Sequence, residues 1–349
     1  MPPRRKVSQQ QIARGLGVSQ ALVSLALNGR KEGISPETYR AIWEHAHKLG
    51  YQPKGMKSEQ SPAGARQRQV GFILRAGLNI HNQGTYFGLV LHGLHTALAE
   101  RGFAAVFLGS EDTLDRRQLD GFFPEGHSLK GVVLLGEVDL AFLKSLRRVE
   151  QRIVAVSARH PGLCHSVIGN ESQSLELLVA HLHDLGHRRI GWLGGNAGLN
   201  RHQMRFDAYR ATLQQFGLPY DERYSVRLTQ GDRAEGGEAI LSLLEHARRK
   251  DFPTAFLCYN TLMAAGAIKA IVREGWSVPG DCSIAAADNS RLAAAESPTV
   301  TVAGSDAEKL GAVAARLILE TTGGDDESFN DLILPSQLVV GESTGPAPG

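Results

Sequence analysis

Lysine and arginine crowd the start of the chain, and their side chains bind anions. Ten of them lie within residues 1–57, which hold only three acidic residues, Glu32, Glu37 and Glu44. This segment therefore carries a net charge of +7, and because the whole chain of 349 residues is +2, the remainder is −5. A small basic segment on a larger acidic body is typical of contact with a polyanion. Charge alone also fits an RNA-binding or membrane-surface tail, so the pattern within the segment must decide.

Motifs for catalysis and for cofactor binding are weak by comparison. Residues 17–21 come near the nucleophile elbow of hydrolases, but a polar helix precedes Ser19 and Ala21 stands where that motif needs glycine. His92 and His95 share a helix face without a third ligand nearby in the sequence. Dinucleotide, phosphate-loop and zinc-protease motifs do not occur. We expect no cofactor, no metal and no enzymatic activity.

Composition limits where the protein acts. Hydrophobic residues make up 42% of the chain, but no stretch approaches the ~18 uninterrupted apolar residues of a membrane span. The basic start is not followed by the apolar stretch of a signal peptide. The three cysteines, Cys164, Cys258 and Cys282, are too few and too scattered for a disulfide framework or a zinc cluster. We therefore expect a cytoplasmic protein with buried, reduced thiols and no membrane partner.

The basic segment reads as three short helices. Ser8 and Gln11 have the spacing of a capping box at the start of the first helix, which should end near Gly17. Ser19 should cap a second helix up to Leu27, and a third opens at 35–37 and stops at Gly50. The predicted core comprises Ile12, Ala13, Leu16, Val18, Val23 and Leu27, and the residues predicted to face outward are Gln20, Ala21, Ser24 and Leu25.

Two short helices joined by a glycine-containing turn, with a third closing the core, are typical of a helix-turn-helix DNA-binding domain. The alternative is a generic three-helix bundle with a solvated basic face. Capping, turn spacing and charge together favour DNA binding.

Apolar runs of strand length alternate with helical patterns after a polar, glycine- and proline-containing linker over residues 54–68. The predicted strands are Val70–Leu74, Ala104–Leu108, Gly131–Leu135, Ile153–Ser157, Arg189–Leu193, Tyr224–Leu228, Ala255–Tyr259 and Ser283–Ala287. Such alternation predicts parallel sheets covered by helices on both faces. The length suits two doubly wound lobes, whose ligands bind beyond the carboxyl ends of the strands.

The ordered succession of motifs over residues 7–344 resembles the LacI/GalR family of bacterial transcription regulators. The motifs that carry the resemblance are Ile12-Ala13, Gly17-Val18-Ser19, Leu27-Asn28-Gly29, Ser35-Pro36-Glu37-Thr38, Leu49-Gly50-Tyr51-Gln52-Pro53, Leu185-Gly186-His187-Arg188-Arg189-Ile190 and Pro298-Thr299-Val300. The resemblance implies an α/β, two-lobed core like periplasmic binding proteins, preceded by an all-α helix-turn-helix domain. It also implies a homodimeric regulator, expected to be a repressor, that binds pseudo-palindromic double-stranded operator DNA.

The resemblance also sets the expected domains. Residues 1–53 are the DNA-binding headpiece, 54–68 the linker, and 69–344 the effector-binding and dimerisation domain. The chain should cross between the lobes three times. One lobe is placed at about 69–163 plus 290–322, and the other at about 164–289 plus 323–343.

The resemblance implies that the second helix lies in the major groove of DNA. Gln20, Ala21 and Leu25 then stand where base edges are read, whereas Ser8, Ser19, Ser24 and Asn28 contact phosphate or position the helix. Many relatives have arginine where this chain has Leu25, and leucine offers only apolar contact, for instance to a thymine methyl group. Packing in the headpiece core is the alternative for Leu25.

A small molecule is expected between the lobes, with a sugar or sugar derivative as the implied class. Arg205 matches the effector-binding arginine of the family, and its guanidinium suits vicinal hydroxyls or a carboxylate. Asn260 and Asp288 follow predicted strand ends and match family ligand contacts. Thr261 replaces the usual acid after the asparagine, and Ser157 stands where several relatives use aspartate. Tyr86, Phe87 and Trp192 are candidates for stacking on the ligand or for core packing.

Two other classes remain open on the residues alone. A cytoplasmic sugar-active enzyme would use the same α/β frame but has no need of the basic segment. A solute-binding protein would share the two lobes but needs an export signal.

The linker departs from the family, whose members fold a helix there on DNA and wedge a leucine into the minor groove. Gln60 stands at the leucine position, Met56 is the substitute apolar wedge, and Gly55 and Pro62 weaken a helix. We predict a weaker or displaced kink in the operator, measured by a circular-permutation bending assay. A sharp central kink would contradict this.

Overall fold

The computed structural model describes residues 8–27, 34–49, 68–78, 86–124, 127–245, 252–323 and 328–348. The chain separates into two units, Met1–Ala65 and Arg66–Gly349. Of the linker predicted over residues 54–68, only Arg68 lies among the described residues, where it begins the first strand. No helix in the described ranges is long and apolar enough to cross a membrane.

Local hydrogen bonds fix the ends of the three helices of the first unit, α1 (Gln9–Leu16), α2 (Gln20–Leu27) and α3 (Pro36–Leu49). Ser8 Oγ accepts from the Gln11 amide at 3.3 Å and the Ser8 amide donates to Gln11 Oε1 at 2.8 Å, which confirms the predicted capping box. Gly17 ends α1 in the left-handed region with φ of 67°. Ser19 Oγ accepts from the Leu22 amide at 3.2 Å and so begins α2.

Apolar side chains from all three helices meet in one small core. Its buried members are Ile12, Ala13, Val23, Ala26, Leu27, Ile42 and Ala46, with Leu16, Val18, Leu22, Ile34 and Tyr39 packed around them. All six residues predicted for this core are therefore in it. The three-residue turn between α1 and α2 gives the helix-turn-helix arrangement.

Strands and helices alternate through the described part of the second unit. Its strands are β1 (Arg68–Leu74), β2 (Phe103–Ser110), β3 (Leu129–Leu135), β4 (Ile153–Val156), β5 (His165–Gly169), β6 (Ile190–Gly194), β7 (Ser225–Arg227), β8 (Ala255–Cys258), β9 (Ser283–Ala286), β10 (Thr301–Ser305), β11 (Asp331–Leu334) and β12 (Ser336–Val339). Its α-helices are α4 (Tyr86–Ala99), α5 (Arg116–Phe122), α6 (Leu140–Arg147), α7 (Glu171–Asp184), α8 (Asn200–Gln215), α9 (Arg233–Leu244), α10 (Thr261–Arg273) and α11 (Ala307–Glu320). Two 3-10 helices span Glu222–Tyr224 and Arg291–Ala295.

The strands form two sheets, each the centre of one lobe. The sheet of lobe 1 has the order β11-β5-β4-β3-β1-β2 and is parallel throughout. The sheet of lobe 2 has the order β12-β10-β9-β8-β6-β7, and only β12 runs antiparallel to its neighbour. The predicted α/β class with two doubly wound lobes is confirmed.

The chain passes between the lobes three times. The first passage leads from β5 to α7, the second from β10 to α11, and the third from β11 to β12. Helix α7 packs on the sheet of lobe 2 and α11 on that of lobe 1, as their shared buried clusters show. Each lobe is thus built from separated stretches of the chain.

The lobe ranges predicted from the sequence are wrong at three strands. Strand β5 pairs in lobe 1 although its range was assigned to the other lobe, β10 pairs in lobe 2, and β11 pairs in lobe 1. The physical reason is that sheet pairing joins residues far apart in sequence, so a short apolar strand does not itself reveal its neighbour. Strands β5, β10, β11 and β12 were not among the predicted strands.

Close helix crossings hold α4 against α11 in lobe 1. A Cβ atom on Gly93 would overlap the carbonyl oxygen of Glu308, and one on Gly311 would overlap that of Val90. Only glycine lets the two helix backbones come this close.

We predict that Gly93→Ala lowers the free energy of unfolding of the second unit by about 2 kcal/mol, because the methyl group forces α4 away from α11. Urea unfolding of the full chain measures this. Gly88→Ala is the matched control, since nothing lies within 4 Å of a Cβ there. Equal stability of the two variants would contradict the close crossing.

Candidate functional site

The outward face of α2 carries the residues predicted to read DNA. Gln20 and Ala21 are exposed, Ser24 is half-buried, and Leu25 is 39% exposed. Leu25 therefore does not belong to the headpiece core, which was the alternative for it. Ser8 and Ser19 are also exposed, and their hydroxyl groups cap α1 and α2 as described above. Asn28 and Met56 lie outside the described residues.

A cavity of about 310 Å³ lies between the two lobes. Its size is within the range of pockets that bind small molecules. It is lined by residues that follow the carboxyl ends of β1, β3, β4, β6, β8 and β9, as parallel pairing requires. All five residues predicted to bind the effector line it: Tyr86, Ser157, Arg205, Asn260 and Asp288.

Two arginines of α8 share one buried carboxylate at the floor of the cavity. Arg205, only 2% exposed, donates from Nε to Glu171 Oε2 at 2.5 Å and from Nη1 to the carbonyl oxygen of Tyr259. Arg201 donates from Nε to Glu171 Oε1 at 2.7 Å. Burial would raise the pKa of Glu171, but the charges of Arg201 and Arg205 together hold it below its usual value. The carboxylate therefore stays ionised between two cations.

Thr261 fixes the orientation of Asp288. Its amide donates to Asp288 Oδ1 at 2.9 Å, and its hydroxyl group donates to the same oxygen. An acid at position 261 would instead place a second carboxylate beside Asp288, and the two would repel. Threonine at position 261 therefore supplies two donors that hold Asp288 in place.

Asn260 and Ser157 line the cavity but are also tied to the protein. Asn260 Oδ1 accepts from the Met263 amide at 2.9 Å as the cap of α10, and its Nδ2 donates to the carbonyl oxygen of Gly231 at 2.8 Å. Ser157 has a φ of 60°, uncommon outside glycine, and its hydroxyl lies 2.9 Å from that of Tyr86. These contacts position the rim of the cavity before any ligand enters.

Two polar residues that sequence reasoning missed reach across the cavity from lobe 1. Arg75, directly after β1, donates from Nη2 to Asn196 Oδ1 in lobe 2 at 3.1 Å. Burial lowers the pKa of Arg75, although the nearby Tyr259 and Glu137 act in the opposite direction. Both Arg75 and Glu137 follow strand ends, so the rule that favoured Asn260 would have found them.

Glu137 caps a helix of the opposite lobe. Its Oε2 accepts from the Asn200 amide at 2.9 Å and its Oε1 from Asn200 Nδ2 at 2.8 Å. The residue before the helix, Leu199, has an aliphatic side chain and supplies no cap to α8. Burial raises the pKa of Glu137, while the hydrogen bonds from Asn200 oppose that shift. An α-helix N-terminus thus holds the lobes together through a carboxylate.

The three aromatic candidates divide between stacking positions and the core. Trp192 is fully buried and stacks on Tyr209 with ring centroids 5.3 Å apart, so it packs in lobe 2. Tyr86 and Phe87 line the cavity, with their rings edge to face at 5.3 Å. The guanidinium carbon of Arg201 lies 4.7 Å from the centroid of the Tyr86 ring.

The cysteines are buried free thiols, as predicted. Burial raises the pKa of Cys164 to about 12 and also raises the pKa of Cys258 and of Cys282, so these thiols are unreactive near neutral pH. His92 and His95 are exposed on α4. Among the described residues, no three His, Cys, Asp or Glu side chains are grouped to hold a metal ion.

Comparisons with known proteins find matches to both units of the chain. A family model described as a periplasmic binding protein-like domain matches residues 179–344. The HTH-type transcriptional regulator MalR of Streptomyces coelicolor is 29% identical over 348 residues, covering 97% of this chain and 96% of that protein. A LacI family transcriptional regulator from Mycobacterium smegmatis is 26% identical, with a TM-score of 0.68, over 79% of this chain and 99% of that one.

The chain is thus similar over nearly its whole length to HTH-type regulators, and its second unit is similar to a regulator of the LacI family. A solved complex of the transcriptional regulator CelR with cellobiose shares the fold over 97% of this chain and all of that one, with 24% identity and a TM-score of 0.66. The match to regulators over their full length shows that this chain is a helix-turn-helix transcriptional regulator. The relatives named here are regulators, which favours this function over the enzyme and the solute-binding protein.

We predict that Glu137→Ala speeds hydrogen exchange in the first turn of α8 and lowers the free energy of unfolding of the second unit by about 1 kcal/mol, because the Asn200 amide loses its acceptor. Exchange measured by mass spectrometry on the full chain tests this. As control, Asp139→Ala removes the cap of α6, which Asp139 supplies at 2.7 Å to Ala141, and leaves α8 unchanged. Unaltered exchange in α8 of the Glu137 variant would refute the cross-lobe cap.

Proposed function

We propose that this regulator is a cytoplasmic repressor that acts as a homodimer on a pseudo-palindromic operator. In this proposal a sugar or sugar derivative, bound between the lobes, controls its affinity for the operator. The observation that carries the proposal is the pairing of an outward-facing surface on α2 with a cavity in the second unit that several charged and polar side chains line. One reads DNA, and the other senses a metabolite.

The headpiece supports sequence-specific binding of duplex DNA. Gln20 is exposed near the start of α2, and an amide side chain can donate to and accept from the same adenine in the major groove. Leu25 offers an apolar surface that suits the methyl group of thymine. Ser8 and Ser19, exposed at helix starts, are proposed to contact phosphate. The net charge of +7 over residues 1–57 adds attraction that falls with salt. Asn28 and Met56 are proposed to complete the DNA contacts, as phosphate ligand and apolar wedge.

The cavity supports a polyhydroxylated ligand. Arg205 and Asp288 supply donors and acceptors, Asn260 and Ser157 shape the rim, and Tyr86 offers an aromatic surface. Hydroxyl groups both donate and accept, so a sugar satisfies charged groups of both signs without carrying charge itself. Cellobiose is the ligand of the CelR complex, and a carbohydrate is the class we propose here.

The proposal of a homodimer rests on the number of recognition helices in each copy. Each headpiece has one α2, and one such helix reads a single half-site. Two copies related by twofold symmetry read two half-sites, which gives a pseudo-palindrome.

Selection of duplexes from a random library by the full chain, followed by gel-shift titration, tests this proposal. We expect a pseudo-palindromic sequence whose binding weakens steeply with salt. Gln20→Ala should lower the affinity for it roughly tenfold and relax base preference at one position of each half-site. Gln10→Ala, which removes an exposed amide from α1, is the matched control and should leave base preference unchanged.

The sugar part of the same experiment adds cellobiose, maltose, glucose and glucuronate to the selected duplex complex and to the protein in a thermal-shift assay. We expect one of them to raise the melting temperature and to shift operator affinity, and Arg205→Lys to remove both effects. A chain that selects no sequence would overturn the DNA function. Selection without any response to these compounds would overturn the carbohydrate proposal alone.

A further inference from the structure

The three passages between the lobes are tied together by side-chain hydroxyl groups. Ser305 Oγ donates to the carbonyl oxygen of Leu334 at 2.8 Å, which joins the second passage to the third. Ser336 Oγ donates to the carbonyl oxygen of Asn170 at 2.9 Å, and Ser174 Oγ donates to Ser336 Oγ at 2.8 Å, which joins the third passage to the first. We call Asn170, Ser174, Ser305 and Ser336 the crossover cluster. Because these hydrogen bonds link different passages, a displacement of one passage strains the bonds to the others.

Glu171 lies beside the crossover cluster. It follows Asn170 directly as the first residue of α7 and is only 6% exposed. A Cβ atom on Gly169 would lie 2.8 Å from Ser305 Oγ and 3.8 Å from Glu171 Oε1, so this carboxylate and the second passage approach the same point.

The same carboxylate is the partner of the two arginines at the floor of the cavity. Arg205 and Arg201 bind its two oxygens at 2.5 and 2.7 Å. Arg201 also lies over the ring of Tyr86, which belongs to lobe 1 and bonds Ser157 there. A continuous chain of contacts therefore runs from the lining of the cavity to the passages between the lobes.

A buried carboxylate tolerates little displacement of its cations. In a poorly hydrated site, water does not replace a lost guanidinium, so Glu171 must follow the arginines or remain uncompensated. Glu171 is fixed to the first turn of α7, whose start is held by the crossover cluster. When Arg205 shifts toward a ligand, the passages therefore either resist this movement or move with it.

We propose that Glu171 is a positioning residue that couples the guanidinium groups of Arg201 and Arg205 to the crossover cluster. A ligand that binds Arg205 and shifts its guanidinium group then changes, through Glu171, the equilibrium between arrangements of the two lobes. This inference rests on the proposed effector binding for its role in regulation, but the coupling itself is a property of the protein alone.

Hydrogen exchange of the full chain, without DNA or ligand, tests the coupling. Glu171→Gln keeps the length of the side chain and removes its charge, and Arg205→Lys removes the guanidinium group. We expect both variants to speed exchange roughly tenfold or more in peptides over residues 165–175, 300–308 and 331–340, because the passages lose their common restraint. Glu171→Asp, which keeps the charge, should restore part of the protection.

Arg75→Lys is the matched control. Arg75 lines the same cavity, but its guanidinium group donates to Asn196 rather than to Glu171. It should leave the three peptides unchanged. Ser336→Ala tests the coupling from the passages toward the cavity. Loss of this hydroxyl group should speed exchange at the start of α8. This measurement remains informative if Glu171→Gln does not fold. Wild-type exchange in the passages of the Arg205 variant, or equal changes in the Arg75 variant, would overturn the proposal. Neither result bears on operator selection, so failure of the coupling and failure of the DNA function are separable.

Discussion

One buried carboxylate shared by two guanidinium groups determines how the cavity presents its positive charge. Ionised groups removed from water must be paired, and Glu171 supplies this pairing for both Arg201 and Arg205. With their Nε groups bound to Glu171, the two arginines are held at the floor of the cavity rather than free to reach solvent. The cavity therefore has its shape and charge before a ligand arrives, which reduces the ordering that binding requires.

Parallel strand pairing brings the other polar groups to the same place. Because the strands of each lobe end on the cavity side, Ser157, Asn260 and Asp288 meet there although they are far apart in the sequence. This rule and the family resemblance together favoured Asn260 and Asp288, whereas Ser157 was predicted from the resemblance. The rule applies equally to Arg75 and Glu137. The role of Glu171 was not predictable in this way. At the first turn of a helix, an acid reads as an ordinary helix-start residue, and its partners 30 and 34 positions later become neighbours only after α7 packs against α8.

The fold shows the same division between local and non-local information. The capping box, turn and apolar periodicity of the headpiece act within a few residues, and so α1, α2 and their core followed from the sequence. The fully apolar strand β8 and the longer strands β1 and β3 were equally clear. Strand β11 was missed because it is only four residues long, and β10 because alanine, glycine and serine make up most of it. Which sheet each strand joins depends on partners more than a hundred residues away, as for β5 and β11, and no local pattern encodes that choice.

The three passages between the lobes also bear on how such proteins change over generations. Neither lobe is a contiguous stretch of the gene, since lobe 1 needs β1–β5 together with α11 and β11, and lobe 2 needs the stretches between and after them. A single recombination event within the second unit therefore joins strands from different parents inside one sheet. A single event within residues 50–67, between α3 and β1, leaves all of the described helices and strands of both units intact. New pairings of operator and metabolite are accordingly more accessible by exchanging whole headpieces than by exchanging lobes.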